Sequence, residues 1–150
     1  MIYGFIISSI VSLHIYLLFW IIMDCPVCRE AMITLELDDV EIDHCVGCGG
    51  IWLDAGELEM LIGDAQKAGD LIKSFMVGDT NLEKPRRCPI CRKKMEKVIA
   101  GTDASGLLID RCRRNDGIWF DHEELDNILA SARLDDGHKV RKLLADMFGK

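Results

Sequence analysis

Three Cys-x-x-Cys pairs, a unit written twice along the chain, and a helix-start signal closing each copy predict a small metal-stabilised α+β fold. Residues 1–22 are almost purely apolar, and the remainder divides into two short halves. Each half is too small to rely on hydrophobic burial alone and needs a staple. The seven cysteines are that staple: Cys25/Cys28, Cys45/Cys48 and Cys88/Cys91 are paired, and Cys112 is not. Paired spacing reads as metal knuckles rather than a disulfide framework, which places the thiols in a reducing compartment.

Ile2 to Ile22 carries no Asp, Glu, Lys or Arg. As an N-terminal apolar helix it would span about 31 Å, enough to cross a bilayer core. It lacks the basic start and small-residue cleavage site of a secretory signal. The expectation is a transmembrane helix over 1–22 as a single-pass anchor, with the rest of the chain on the cytoplasmic side. The rival is a start at Met23, immediately before the first cysteine pair, which would give a cytoplasmic protein.

The repeat aligns ligands, core and helix start together. Cys25-Pro-Val-Cys28, Met32, Ile42-Asp43-His44-Cys45 and Gly50-Ile51-Trp52-Leu53-Asp54 answer Cys88-Pro-Ile-Cys91, Met95, Ile109-Asp110-Arg111-Cys112 and Gly117-Ile118-Trp119-Phe120-Asp121. In the first copy Leu35, Leu37, Val40 and Ile42 alternate with polar residues around Asp38-Asp39, as a hairpin does. The second copy is longer between its knuckles, with a loop over 101–106. Each Ile-Trp run reads as a further strand. Asp54 with Glu57, and Asp121 with Glu124, are spaced as capping boxes with Asp as N-cap.

Behind the first cap, Leu58, Leu61, Ile62, Ala65, Leu71, Ile72, Phe75 and Met76 follow helical spacing, with Gly63 and Gly69 as breaks. Behind the second, Leu125, Ile128 and Leu129 form one face, and Val140, Leu143, Leu144, Met147 and Phe148 another beyond Gly137. The expected organisation is 24–77 as the first ribbon plus helix, 78–86 as linker, and 87–150 as the second ribbon plus C-terminal helices.

Structural zinc takes four ligands at tetrahedral angles, and thiolates suit it. Two knuckles at the ends of a hairpin close such a site, so Cys25, Cys28, Cys45 and Cys48 predict one Zn(2+) centre. A redox dithiol is the rival for a lone Cys-x-x-Cys pair; two knuckles bracketing a hairpin favour metal. The second unit keeps Cys88, Cys91 and Cys112, but Asn115 stands where Cys48 stands. Its fourth ligand is open between Asp116, His122, water and no metal at all. No nucleophile–base pair, phosphate loop or acid pair stands out, so an enzyme is not expected.

From Asp24 to Asp64 Arg29 is the only Lys or Arg, whereas Arg86, Arg87, Arg92, Lys93, Lys94, Arg111, Arg113 and Arg114 crowd the second knuckles. This split points either to a polyanionic partner for the second half or to attraction between the halves.

The run from Cys25 through Cys48 to Gly50-Ile51-Trp52-Leu53-Asp54 resembles the prokaryotic transcription factor zinc-finger family, named for likeness to the zinc ribbon of transcription factor IIB. The likeness covers about residues 24–64 and again 88–129. It implies tandem zinc ribbons, each a β-hairpin with two knuckles followed by a helix, with the second degenerate. Members often carry Asn-His-Gly where this chain has Asn115-Asp116-Gly117, which favours Asp116 as the replacement ligand. The family label implies fold, not activity. The expected function is a non-catalytic binding module for protein or nucleic acid, with a transcription-related role or a membrane-tethered adaptor as its settings.

Overall fold

The computed structural model describes residues 23–78, 83–84, 86–100, 106–132 and 138–148. The anchor expected over 1–22, most of the linker, the loop at 101–105 and Gly137 lie outside the described residues. Among the described residues no helix is long and apolar enough to cross a membrane.

Each copy folds as a hairpin plus a third strand. In the first, β1 (Ile33–Leu37) turns through Asp38 and Asp39 into β2 (Val40–His44), and β3 (Ile51–Asp54) follows. Both turn residues have positive φ, 53° and 63°, the left-handed geometry that a two-residue hairpin loop requires and Asp tolerates. In the second, β5 (Glu96–Ala100), β6 (Leu107–Arg111) and β7 (Gly117–Phe120) repeat the pattern. A short strand β4 (Met76–Val77) pairs with β5 at the sheet edge.

The two copies are not separate beads. One antiparallel sheet runs β1-β2-β3-β7-β6-β5-β4, joined at its centre by β3 against β7. In that pairing Trp52 lies opposite Trp119, its own counterpart in the repeat, so a pseudo-twofold axis passes between the two indoles. The axis explains the Gly-Ile-Trp motif. A Cβ on Gly50 would stand 2.1 Å from the Trp119 indole, and one on Gly117 would stand 2.6 Å from the Trp52 indole and 2.2 Å from the Leu53 carbonyl. Each tryptophan is seated on the other copy's glycine.

Alternation along β3 and β7 divides the core into two layers. Ile51, Leu53 and Phe120 face one side, with Leu58, Leu61, Leu125, Ile128 and Leu129 from the helices. Trp52 and Trp119 face the other, with Met32, Met95 and the cysteines.

The helices correct several expectations. Helix α1 (Glu57–Ile62) and helix α3 (Glu124–Ser131) begin after left-handed Gly56 and Glu123, with no side-chain cap. Only the backward half of each capping box forms: Asp54 N–H donates to Glu57 Oε2 at 2.7 Å, and Asp121 N–H to Glu124 Oε2 at 2.7 Å. Each aspartate accepts an indole N–H instead, from Trp52 at 2.7 Å and from Trp119 at 2.9 Å. Gly63 ends α1 in the left-handed region, but Gly69 lies inside α2 (Ala65–Lys73) without breaking it. The stripe expected to continue to Met76 stops at Lys73, and Met76 is an exposed strand residue. Helix α4 (Lys139–Phe148) buries Val140 and Leu144, as its spacing predicts. His138, just before that helix, has its Nδ1 buried with no hydrogen-bond partner among the described residues.

Candidate metal centres

Backbone turns aim the cysteines before any metal is considered. Cys25 accepts N–H donors from Val27 at 3.3 Å and Cys28 at 3.5 Å, and Cys88 accepts one from Cys91 at 3.5 Å. Arg29 and Arg92 close these turns with φ of 69° and 61°. The opposite knuckle rises from the end of β2 or β6. In the first copy Sγ of Cys25 lies 3.5 Å from Sγ of Cys48, and Cys28 lies 3.3 Å from Cys45. All seven cysteines are free, and these separations are far beyond a disulfide bond. They approach the ~3.8 Å edge of a tetrahedron with Zn–S bonds near 2.3 Å.

The second copy gathers Cys88, Cys91, Cys112 and Asp116, with ligand atoms within 4.8 Å of one another, as in the first set. Asp116 Oδ2 lies 3.1 Å from Cys112 Sγ and 3.5 Å from Cys88 Sγ. The loop geometry explains how a residue one place late reaches the site. In the first copy Gly49 N–H bonds back to Cys45 at 2.8 Å, whereas in the second Asn115 N–H bonds to Cys112 at 3.0 Å, one residue tighter. Asn115 takes φ 60°, a conformation asparagine tolerates. The tighter turn brings Asp116 in. His122 is placed elsewhere: its ring lies beside Gly49 of the first copy.

Burial and mutual contact perturb the thiols and the carboxylate at both centres. Burial pushes the Cys25 thiol far above its ordinary range, and the Cys88 thiol up to about 12. Burial also raises Cys48 and Cys112. At Cys45 burial is outweighed by the Cys48 backbone N–H and the neighbouring thiols, and its pKa is lowered. Thiol hydrogen bonds from Cys91 and Cys112 lower the Asp116 pKa. Buried thiols clustered this tightly ionise only against a compensating positive charge, so metal binding and proton release are linked. Four thiolates, or three and a carboxylate, are donor sets that zinc accepts. Cys25, Cys28, Cys45 and Cys48 would hold one ion, and Cys88, Cys91, Cys112 and Asp116 a second. When bound, each ion cross-links the two ends of its hairpin.

Much of the basic cluster has internal work. Arg86 binds Asp121 through Nη1 at 2.8 Å and Nη2 at 2.9 Å, and binds Asp110 at 3.0 Å. Burial opposes its charge, but Asp121, Asp110 and Glu83 more than offset this and raise its pKa. Lys97, 3% exposed, bonds Asp110 at 2.8 Å and also pairs with Glu83. Arg111 pairs with Glu96. Arg92 reaches Asp24 at 3.6 Å, and Lys139 pairs with Asp38, so both halves of the charge split also meet each other. Arg87, Lys93, Lys94, Arg113 and Arg114 remain exposed around the second centre. Two features escaped sequence reading: the Trp-to-Asp bond, signalled by the repeated Trp-x-Asp, and the Arg86 clamp.

Two further groups near the first centre carry no chemistry of this kind. His44 is buried against Phe148, ring centroids 4.5 Å apart, and burial lowers its pKa. A cavity of about 140 Å³ between the first knuckle and α4 is lined chiefly by apolar groups, including Ile51, Leu125, Leu144 and Phe148.

Hairpins carrying two knuckles each, with four candidate ligands gathered at each of two sites, define a tandem zinc-ribbon protein. The profile of the transcription factor zinc-finger family, of the transcription factor IIB zinc-ribbon type, matches residues 24–64 and 87–131, more than half of the chain. The chain belongs to that family, in two copies. No curated protein and no solved structure matches it significantly.

Proposed function

We propose that the chain is a non-catalytic, zinc-organised module that binds a protein partner. The observation that carries this reading is the apolar exposure at the knuckle tips. Val46 is 69% exposed and Val27 43%, both on the first centre, and Ile90 is 47% exposed on the second. Metal-braced turns hold these side chains in water at fixed positions, a low-entropy arrangement suited to docking. Each centre gathers four protein side chains that could ligate one ion, a set that would leave no open position and so supports a structural rather than a catalytic metal.

A role in transcription would be exercised through such a contact, and the family description supports it. An anchor at 1–22 would make the same module a membrane-tethered adaptor. A second reading has its own observation: the exposed Arg87, Lys93, Lys94, Arg113 and Arg114 favour phosphate contact at the second ribbon.

The test compares proteins captured by the zinc-loaded chain with those captured by a Val27→Asp, Val46→Asp double variant of matched zinc content. Partners lost with the variant support protein docking at the first knuckles. Identical capture by both, with salt-sensitive DNA or RNA binding by the unaltered chain, would move the function to the basic ribbon.

A further inference from the structure

We infer that Asp43 and Asp54 of the first ribbon form a fork that receives an arginine side chain from the partner protein. The inference rests on the protein-binding reading above, and it comes from comparing the two copies position by position.

In the second copy the fork is filled. The Arg86 guanidinium binds both carboxylate oxygens of Asp121, at 2.8 and 2.9 Å, and Asp110 at 3.0 Å. The equivalences to the first copy are set by geometry. Thr34 lies opposite Asp43 as Lys97 lies opposite Asp110. The indoles of Trp52 and Trp119 donate to Asp54 and Asp121 alike. Met32 N–H bonds to the Met23 carbonyl at 2.8 Å, and Met95 N–H to the Arg86 carbonyl at 2.9 Å. Met23 therefore stands in the place of Arg86, and Thr34 in the place of Lys97.

Both cations that neutralise the second fork are thus replaced by uncharged residues, while the carboxylates remain. Among the described residues no salt bridge reaches Asp43, Asp54 or Glu57. The charges acting on Glu57 come from Asp54, Asp43 and Glu41, all acidic. Asp54 is exposed and Asp43 half-buried, so the fork is open to solvent. The Trp52 bond does not block it, since Asp121 accepts both its indole and Arg86 on the same oxygen.

Arginine is favoured over lysine or a metal by the filled copy itself. A planar guanidinium donates two parallel N–H groups to one carboxylate and a further one to its neighbour, a pattern that an ammonium cannot reproduce. The fork also lies on the ribbon that presents Val27 and Val46, so one partner surface could supply an apolar contact and an arginine together.

Each fork carries its own reporter, because Trp52 and Trp119 donate indole N–H groups to the two forks. We would titrate the zinc-loaded chain with an acetylated, amidated Gly-Arg-Gly peptide and follow both indole N–H resonances by NMR. The expected result is a saturable shift of the Trp52 signal at millimolar peptide, with the Trp119 signal unmoved. Matched lysine and citrulline peptides should shift it far less, as should magnesium chloride. Asp43→Asn should weaken the response about tenfold, the scale of one lost charge-assisted bond. Met23→Arg should fill the fork internally, abolish the peptide response and move the Trp52 signal toward that of Trp119. An unmoved Trp52 signal, equal shifts at both tryptophans, or equal effects of the lysine peptide or magnesium would overturn the inference. Should Met23→Arg fail to fold, the Asp43→Asn comparison decides. Failure here alongside successful, knuckle-dependent protein capture would remove the arginine fork and leave the binding module standing.

Discussion

Gly50 and Gly117 hold their places because tryptophan rings occupy the space where a side chain would begin. Gly50→Ala or Gly117→Ala should therefore destabilise the zinc-loaded fold by about 3 kcal/mol or more, the upper range for overpacking with little room to relax. Denaturant unfolding monitored by tryptophan fluorescence would measure it; a change below ~0.5 kcal/mol would mean that the indoles are not seated on these glycines. Glu124 adds a pH signature. Burial, with the nearby Asp121 charge, raises its pKa from 4.5 to about 7. The folded state then holds the proton more tightly than the unfolded chain. Its contribution to folding is present below about 4.5 and is lost as pH rises through about 7. Glu124→Gln keeps an acceptor for the Asp121 N–H without the charge. The variant's stability relative to the parent should rise between pH 5.5 and pH 8, a comparison in which thiol deprotonation cancels. A pH-independent difference would place Glu124 in water. At this scale the cysteines and the tryptophans could be read from the chain because spacing and repetition mark them, and Asp116 only as one of several candidates for the fourth ligand. The Asp54 and Asp121 roles could not. Asp before Glu at a three-residue interval satisfies the capping rule, and only the fold shows an indole N–H claiming the carboxylate first.

Between the elements, the difference that matters is the turn after β6. A tightened loop at Asn115 delivers a carboxylate where the first copy delivers Cys48. Carboxylate oxygen is a weaker partner for zinc than thiolate in a cysteine-rich site. Chelator should therefore strip the second centre first, and Asp116→Cys should narrow the gap between the two. Competition with a colorimetric chelator, read as one or two release phases, tests this. Release in the opposite order would show that the carboxylate is no weakness. The three strands of each copy, both hairpins and the helix behind each third strand were visible in the sequence through alternation and the repeat, though each helix begins at Glu57 or Glu124 behind a left-handed residue rather than behind an aspartate cap. Helix ends were less so: Gly69 is tolerated inside α2, and the apolar pair Met76 and Val77 turns into an edge strand that pairs with β5. Periodicity cannot distinguish the last turn of a helix from a short strand that finds a neighbour.

At the scale of the molecule, the repeat closes on itself. Pairing of β3 with β7 around the Trp52–Trp119 axis makes the chain an internal pseudo-dimer. A fragment spanning residues 23–78 would leave the β3 edge and Trp52 without a partner. Loaded with zinc, it should self-associate through β3, the same antiparallel edge contact made with a second copy. Sedimentation should show dimers that dissociate in a Trp52→Ala fragment; a stable monomer with native-like Trp52 packing would contradict the pseudo-dimer account. This pairing could not be read from the sequence, because the repeat says that two units are alike and not that they share a sheet. The metals remain the central claim. The most direct measurement is zinc content, by mass spectrometry of the intact chain, taken alongside near-ultraviolet circular dichroism of its buried tryptophans during chelator titration. The account predicts two zinc ions per chain and loss of the tryptophan signal as they leave, with Cys45→Ser abolishing the ordered first ribbon. A metal-free chain that keeps its full tryptophan signal would contradict it.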